Sequence, residues 1–143
     1  MSQAHQTFEG SCHCGAITFK FETPLAPGSW AVRACQCSFC RSHGARTTSD
    51  PDASVRFVIA DASKLNRYRF GMHSADFLVC GNCGVYVAAV VTLPRGQFAT
   101  LNINTLRLAV NAPPATSVSY EGESLEQKQA RREQRWIPVV ETV

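Results

Sequence analysis

Three cysteines within six residues form the segment of this sequence that is best suited to chemistry. The stretch "ACQCSFCR" places Cys35, Cys37 and Cys40 in a C-x-C-x-x-C arrangement. Thiolates are preferred ligands of Zn²⁺, which structural sites in proteins hold with four ligands in a tetrahedron. Because this stretch offers only three, either it is not a metal site, or a fourth ligand comes from elsewhere, or the fourth position is open.

Four more cysteines form two pairs, each followed by a glycine. The four are Cys12, Cys14, Cys80 and Cys83, in the motifs C-x-C-G and C-x-x-C-G. Glycine permits the positive φ or the close backbone approach that a chain needs when it folds around a metal ion. An apolar, strand-like segment follows each pair. Two such turns together would form a closed Cys₄ site, the usual form of structural zinc.

The triplet Cys35, Cys37 and Cys40 then remains as a separate three-thiolate site. Three protein ligands and one exchangeable position are typical of catalytic zinc. This partition uses all seven cysteines of the chain, and it predicts two zinc ions, one structural and one catalytic. A thiol that enters the open position would be deprotonated by the metal, and Arg41 and Arg46 lie just downstream to balance the added charge.

Other interpretations of the cysteines remain open at this point. The paired cysteines could be buried apolar residues, and the triplet could be a redox motif or a vestigial metal site. Complete disulfide pairing is excluded because seven is an odd number. A redox role is disfavoured because thioredoxin-type motifs occur in a βαβ context that this sequence lacks. His43 follows the triplet as C-x-x-C-x-x-H and could close it into a structural Cys₃His site.

Composition is that of an ordinary globular domain. The chain has 143 residues, of which 45% are hydrophobic and 17% charged, with a net charge of +3. This length suits one domain, which we expect to span residues 1–143. No apolar run reaches the ~18 residues that a membrane span needs, and the N-terminus lacks the features of a secretory signal. We therefore expect a cytoplasmic protein, where clustered cysteines are more often metal ligands than disulfides.

The elements that must position these cysteines are mostly β-strands. Apolar residues alternate with polar ones from Ile17 to Glu22, which is the pattern of a half-buried strand. Further strands are predicted at Val55–Ala60, Asn66–Phe70, Phe77–Cys80, Val85–Thr92 and Phe98–Ile103, with a weaker candidate at Val118–Tyr120. A short helical turn is expected after Cys40. One longer helix is predicted at about residues 124–136, capped by Ser124 and stopped by Pro138.

The three cysteine motifs together resemble one known family. "GSCHCGAITF", "CQCSFCRSHG" and "FLVCGNCG", in this order, closely resemble the glutathione-dependent formaldehyde-activating enzymes, a family that also includes centromere-protein-V-like members. The resemblance covers about residues 8–110. It implies a mainly β, Mss4-like fold of small antiparallel sheets with zinc knuckles and a short C-terminal helix. Gln36 stands where the family often has a histidine, but it is not one of the presumed ligands.

The resemblance also implies the ligand sets and the chemistry. Positions that match Cys12, Cys14, Cys80 and Cys83 hold a structural zinc, and those that match Cys35, Cys37 and Cys40 hold a catalytic one. The implied reaction is the addition of glutathione to formaldehyde, which gives S-hydroxymethylglutathione. We therefore expect a zinc-dependent carbon–sulfur lyase or synthase that acts on glutathione or a similar thiol and on formaldehyde or another small aldehyde. The candidate general acids are His43 and a water on the metal.

Two other functional classes remain possible on the sequence. The protein could carry glutathione or its adduct without accelerating the reaction, or it could be a zinc-ribbon-like scaffold for nucleic acid or protein. Nucleic acid is disfavoured because no aromatic residues interleave with the basic ones near Arg131–Arg135, which we interpret as an exposed helix face. Arginine binds a carboxylate through two parallel hydrogen bonds. The candidate contacts to a glutathione-like peptide are therefore Arg41, Arg46, Arg67 and Arg69. These four side chains could equally well lie on solvent-exposed faces of strands and loops.

Overall fold

The fold is mainly β, as expected, and it carries two α-helices in the residues that the structure describes, 4–143. It was obtained as a computed structural model. The strands are β1 Gln6–Ser11, β2 Ile17–Thr23, β3 Val32–Cys35, β4 Thr47–Thr48, β5 Ser54–Ile59, β6 Leu65–Tyr68, β7 Asp76–Cys80, β8 Tyr86–Leu93, β9 Gly96–Asn102, β10 Thr116–Val118 and β11 Ile137–Pro138. The helices are α1 Ser38–His43 and α2 Leu125–Arg135, and short 3₁₀ segments lie at Pro27–Ser29, Ala62–Lys64 and Ile103–Thr105.

The smaller sheet has the antiparallel order β1-β2-β5. Strand β2 shows the predicted alternation, because Ile17, Phe19 and Phe21 are buried whereas Lys20 is exposed. Phe19 lies so close to Gly10 on β1 that a Cβ at that position would overlap the phenyl ring. Glycine at position 10 therefore lets the β1 backbone pack directly on the core.

The larger sheet has the order β10-β3-β4-β9-β8-β7-β6, and β11 pairs with β9. Its pairs are antiparallel except for β10 with β3, which is parallel and departs from the expected all-antiparallel arrangement. Strand β8 is buried from Tyr86 to Val91. Burial on both faces explains why its sequence is nearly continuous in apolar residues rather than alternating.

Helix α2 begins at the predicted cap, and most of its residues are exposed as expected, but one side of it is packed on the sheet. Ser124 and Gln127 form a reciprocal capping box at its start. The helix packs against β8 and β9, and Trp136, directly after it, is buried against Ala89 and Val91. The expectation of a solvated arginine-rich helix is wrong for Arg132, which is only 7% exposed. Within residues 4–143, no helix is long and apolar enough to cross a membrane.

Candidate metal and thiol site

Two loops bring the paired cysteines into one four-sulfur cluster. The cluster consists of Cys12, Cys14, Cys80 and Cys83, whose sulfur atoms all lie within 4.8 Å of one another. The Sγ atoms of Cys12 and Cys14 are 3.8 Å apart, and those of Cys14 and Cys80 are 3.6 Å apart. Tetrahedral zinc with Zn–S bonds of about 2.3 Å places its sulfurs about 3.8 Å apart. The spacing of this cluster therefore fits a zinc ion.

The two loops are built by the same local hydrogen bonds. The N–H of the first cysteine in each pair donates to a carbonyl five residues on, from Cys12 to Ile17 and from Cys80 to Val85. The glycine after each pair donates back to the carbonyl of the first cysteine, and φ is 87° at Gly15 and 81° at Gly84. Only glycine adopts such a φ without strain, which gives the physical reason for the C-x-C-G and C-x-x-C-G motifs.

Backbone N–H groups point at the sulfurs of this cluster. The N–H of Ile17 donates to Cys12 Sγ at 3.3 Å, and those of Asn82 and Cys83 donate to Cys80 Sγ at 3.4 Å. A hydrogen bond from the Asn82 side chain, followed by one from a backbone N–H, lowers the pKa of Cys14 to about 6. Burial raises the pKa of Cys12 to about 11. A cation at the centre would favour the thiolate form of all four sulfurs.

The triplet forms a second cluster at the junction of β3 and α1. Cys35 ends β3, Cys37 is the N-cap residue of α1, and Cys40 lies in its first turn. The Cys40 N–H donates to Cys37 Sγ at 3.4 Å, so one thiol both caps the helix and faces the other two. The three sulfurs lie within 4.8 Å of one another. Sequence analysis placed the helical turn after Cys40, whereas the helix begins two residues before it.

The triplet thiols have unequal acidities. A hydrogen bond from Cys40 to the Cys35 sulfur lowers the pKa of Cys35 to about 5. The same hydrogen bond, together with burial, raises the pKa of Cys40. The hydrogen bond between the two thiols therefore favours the thiolate form of Cys35. Three close sulfurs, one of them stabilised as a thiolate, are a suitable donor set for a divalent thiophilic cation.

His43 does not belong to either cluster. Its ring lies against the aromatic rings of Phe39 and Tyr86, with centroid distances of 4.6 and 5.6 Å, and its side chain is exposed. The structure thus brings together Cys35, Cys37 and Cys40 without His43. A closed Cys₃His site is not formed by this arrangement.

The triplet lines a cavity of about 430 Å³, whereas the four-sulfur cluster does not. The lining also includes residues of α2, Trp136 and Tyr86. Tyr86 is only 1% exposed and its hydroxyl has no hydrogen-bond partner in residues 4–143. Burial, followed by the nearby cysteine sulfurs, raises its pKa well above the usual range. The sequence carries a signal for Tyr86, because it is the single side-chain hydroxyl within the apolar run of residues 85–91.

The structure changes the list of candidate arginines. Arg67 and Arg69 pair with Asp76, at 3.3 and 2.5 Å, so they are not free for a ligand carboxylate. Arg46 donates to Asn104 Oδ1 at 2.8 Å and does not line the cavity. Of the four predicted residues, only Arg41 lines it. Arg33 and Arg132, which sequence analysis did not single out as ligand contacts, also line the cavity.

Comparison with known proteins identifies the family. The sequence profile of the glutathione-dependent formaldehyde-activating enzymes matches residues 7–122, which include all seven cysteines. The chain belongs to this family. As a member of the glutathione-dependent formaldehyde-activating enzymes, it carries both cysteine clusters within the matched region. Helix α2 and Trp136 lie outside that region, so one wall of the cavity is not part of the family match.

A solved structure also resembles this family member. It is the crystal structure of a Rhodobacter sphaeroides protein, which is 29% identical in sequence. The match covers 77% of this chain and 99% of that chain, with a TM-score of 0.55. The similarity supports the mainly β architecture of this chain.

Proposed function

We propose that this protein is a zinc-dependent carbon–sulfur lyase or synthase that joins glutathione, or a similar thiol, to formaldehyde or another small aldehyde. The observation that carries the proposal is the contrast between the two clusters. Four cysteines form a set that is complete for tetrahedral zinc, and three others line a cavity and have no fourth His, Cys, Asp or Glu ligand beside them among residues 4–143. A site that lacks one protein ligand and opens to a cavity can accept a substrate sulfur.

Each cluster has a separate role in this proposal. Cys12, Cys14, Cys80 and Cys83 hold a structural zinc, and Cys35, Cys37 and Cys40 hold a catalytic zinc. When bound at the triplet, the ion would supply the positive charge that lowers the pKa of a substrate thiol. The chain contributes the geometry, because α1 fixes Cys37 and Cys40 on one helical turn and β3 fixes Cys35.

The aromatic side chains beside the triplet keep part of the site dry. Phe39 packs edge-on against Phe77 and Tyr86, with centroid distances of 4.8 and 4.9 Å. Phe77 and Tyr86 line the cavity. In such an apolar environment a thiolate is less hydrated and electrostatic interactions are stronger than in water. The thiolate is therefore held ready for attack on a carbonyl carbon.

The Tyr86 hydroxyl is the proposed partner of the reacting oxygen. In the addition, the thiolate sulfur forms a bond to the carbonyl carbon, the π-electron pair moves to oxygen, and that oxygen takes a proton. Thiol and aldehyde thus combine without loss of any atom. In this proposal Tyr86 donates a hydrogen bond to the developing oxyanion, a type of contact that strongly stabilises transition states. His43 does not line the cavity, which makes it the weaker candidate.

We also propose that the whole chain acts as one unit in the cytoplasm. Helix α2 contacts β8 and β9 and helps to form the cavity wall, so the site needs the region beyond residue 122. All seven cysteines are free thiols in the structure. Clusters of free thiols are maintained in a reducing compartment.

The rate of adduct formation tests the proposal. Exchange between formaldehyde, glutathione and their adduct is measured by NMR at fixed reactant concentrations, with and without zinc-loaded protein. We expect faster exchange with the protein, and the uncatalysed rate with Cys37→Ala. Stoichiometric binding without acceleration would instead show a carrier, and binding to DNA with a steep salt dependence would show a scaffold.

A further inference from the structure

Arg132 on α2 is a buried cation without an anion. Its side chain donates only through Nη1, to the Ser74 carbonyl at 3.5 Å, to Ser74 Oγ at 2.9 Å and to Gln129 Oε1 at 2.9 Å. All three acceptors are neutral. No carboxylate of residues 4–143 lies within ion-pair distance of its guanidinium, and Nε has no hydrogen-bond partner there.

Such an arrangement is unfavourable unless a ligand completes it. A buried charge that is not paired is destabilising, and here burial lowers the pKa of Arg132 to about 10. The neutral contacts fix Nη1 and leave the edge formed by Nε and Nη2 without a partner. That edge of a guanidinium binds a carboxylate through two parallel hydrogen bonds.

Arg33 on β3 has a similar environment. Its Nη1 donates to Ser49 Oγ at 2.9 Å, and no carboxylate in the described part of the chain pairs with it. Arg33 and Arg132 line the same cavity as the cysteine triplet. The cationic residues of the lining are Arg33, Arg41, Lys128, Arg131 and Arg132, against the single acidic residue Glu121.

We propose that Arg132 binds a carboxylate of the ligand in this cavity and that Arg33 supplies a second cationic contact. The inference rests on the proposed function, since it assigns the substrate class of the same site. The ligand class is a carboxylate-bearing molecule whose reactive end reaches the triplet. The carboxylate has two possible sources, the thiol substrate or an aldehyde that itself carries a carboxylate. Helix α2, which carries Arg132, lies beyond residues 7–122, the region that the family profile matches.

Unaltered protein gives the first test. Calorimetry measures the affinity of zinc-loaded protein for glutathione, for glutathione diethyl ester and for S-methylglutathione. If the thiol supplies the carboxylate, the diester should bind about 10- to 100-fold more weakly than glutathione, which is the effect of losing a charged hydrogen bond. If the aldehyde supplies it, the ester binds as well as the acid, but glyoxylate reacts with bound glutathione far better than acetaldehyde does.

Substitutions give the second test. Arg132→Met should abolish the discrimination between acid and ester, or between glyoxylate and acetaldehyde, and Arg132→Lys should restore part of it. Arg135→Met is the matched control, because Arg135 is exposed on the same helix and does not line the cavity. A merely structural role of Arg132 would weaken charged and neutral ligands equally. Should Arg132→Met not fold, Arg33→Met and the ester comparison provide the same readout.

The outcomes separate this inference from the proposed function. The carboxylate site would be overturned if acid and ester bound equally, glyoxylate were not preferred and Arg132→Met had no effect. In that case, tighter binding of glutathione than of S-methylglutathione would still support the thiol site. Conversely, equal binding of glutathione and S-methylglutathione, both weakened by Arg132→Met, would support the carboxylate site and remove the thiol site.

Discussion

The sulfur atoms of Cys14 and Cys80 lie 3.6 Å apart although 66 positions separate them in the chain. One belongs to the loop between β1 and β2, and the other ends β7, so this contact joins the two sheets. A cation shared by the two loops would therefore hold together parts of the chain that have no backbone hydrogen bonds to one another.

The protein should contain two zinc ions of unequal accessibility. Elemental analysis of protein purified without chelator should give about two equivalents per chain, because both clusters have sulfur separations that suit a metal. A mild chelator should remove the triplet ion first, since that cluster faces the cavity. A total close to one, or disulfides among Cys12, Cys14, Cys80 and Cys83, would contradict the assignment of two sites.

Cys80→Ala should destabilise the protein much more than Cys37→Ala. Cys80 is 1% exposed and belongs to the cluster that joins the sheets, and structural zinc contributes about 10 kcal/mol in small domains, as much as their whole net stability. Cys37→Ala loses the cap of α1 and the open metal site, with a cap penalty of about 1 kcal/mol. Thermal denaturation measures the stability of each variant, and elemental analysis measures its zinc content.

A serine variant controls for the helix cap. Cys37→Ser keeps an acceptor at the N-cap of α1 and should recover the small loss of stability of Cys37→Ala without restoring the second zinc. Similar melting temperatures for Cys80→Ala and Cys37→Ala would mean that the structural and catalytic sites are wrongly assigned.

Glutathione should become a ligand of the triplet site. In cobalt-substituted protein, sulfur-to-metal charge-transfer absorption should increase on titration, and the apparent Kd should decrease as pH rises toward the thiol pKa of about 8.5, because binding releases the thiol proton. S-methylglutathione, which has no thiol proton to lose, should bind more weakly. His43→Ala should leave the starting spectrum unchanged; loss of the second metal in that variant, with no response to glutathione, would indicate a closed Cys₃His site.

Tyr86→Phe should slow the reaction without weakening the fold. The hydroxyl is buried and has no hydrogen-bond partner within residues 4–143. Its removal should therefore leave the free energy of unfolding unchanged or raise it by up to about 1–3 kcal/mol, and the melting temperature should change in the same direction. The rate of adduct formation should decrease by about 10²- to 10³-fold, with little change in glutathione affinity. Tyr68→Phe is the matched control, since Tyr68 stacks on Phe39 but is 51% exposed. Equal rates for Tyr86→Phe and the parent would exclude a contact with the reacting oxygen.

Several elements and both clusters could be predicted because their causes are local. Glycine after a cysteine pair creates the turn that brings two sulfurs together, as at Gly15 and Gly84, and alternation along β2 indicates which face is buried. The helix at Ser124 begins with side chains that bond to its own first turn. Such signals operate over a few residues, so they can be recognised without knowledge of the fold.

The shortest strands could not be predicted from an alternation of apolar and polar residues. Strands β3 and β4 have four and two residues, and no repeat can be recognised over so few positions. They form because neighbouring strands, β10 and β9, offer unpaired backbone groups at the right distance. Cys35 therefore owes its place to pairings that are distant in sequence, although its motif was visible.

The partition of seven cysteines into four and three was determined by the sequence, whereas the environment of the cavity was decided by the tertiary structure. Sequence analysis interpreted the arginines of α2 as an exposed face, but Arg132 is buried and Arg67 and Arg69 are paired with Asp76. Which cation remains unpaired depends on which strand and helix meet at the cavity. Charge pairing and burial are properties of long-range packing. Only the folded chain therefore shows that Arg33, Arg132 and Tyr86 line the triplet's cavity, and that within residues 4–143 neither arginine has a carboxylate partner and the Tyr86 hydroxyl has no hydrogen-bond partner.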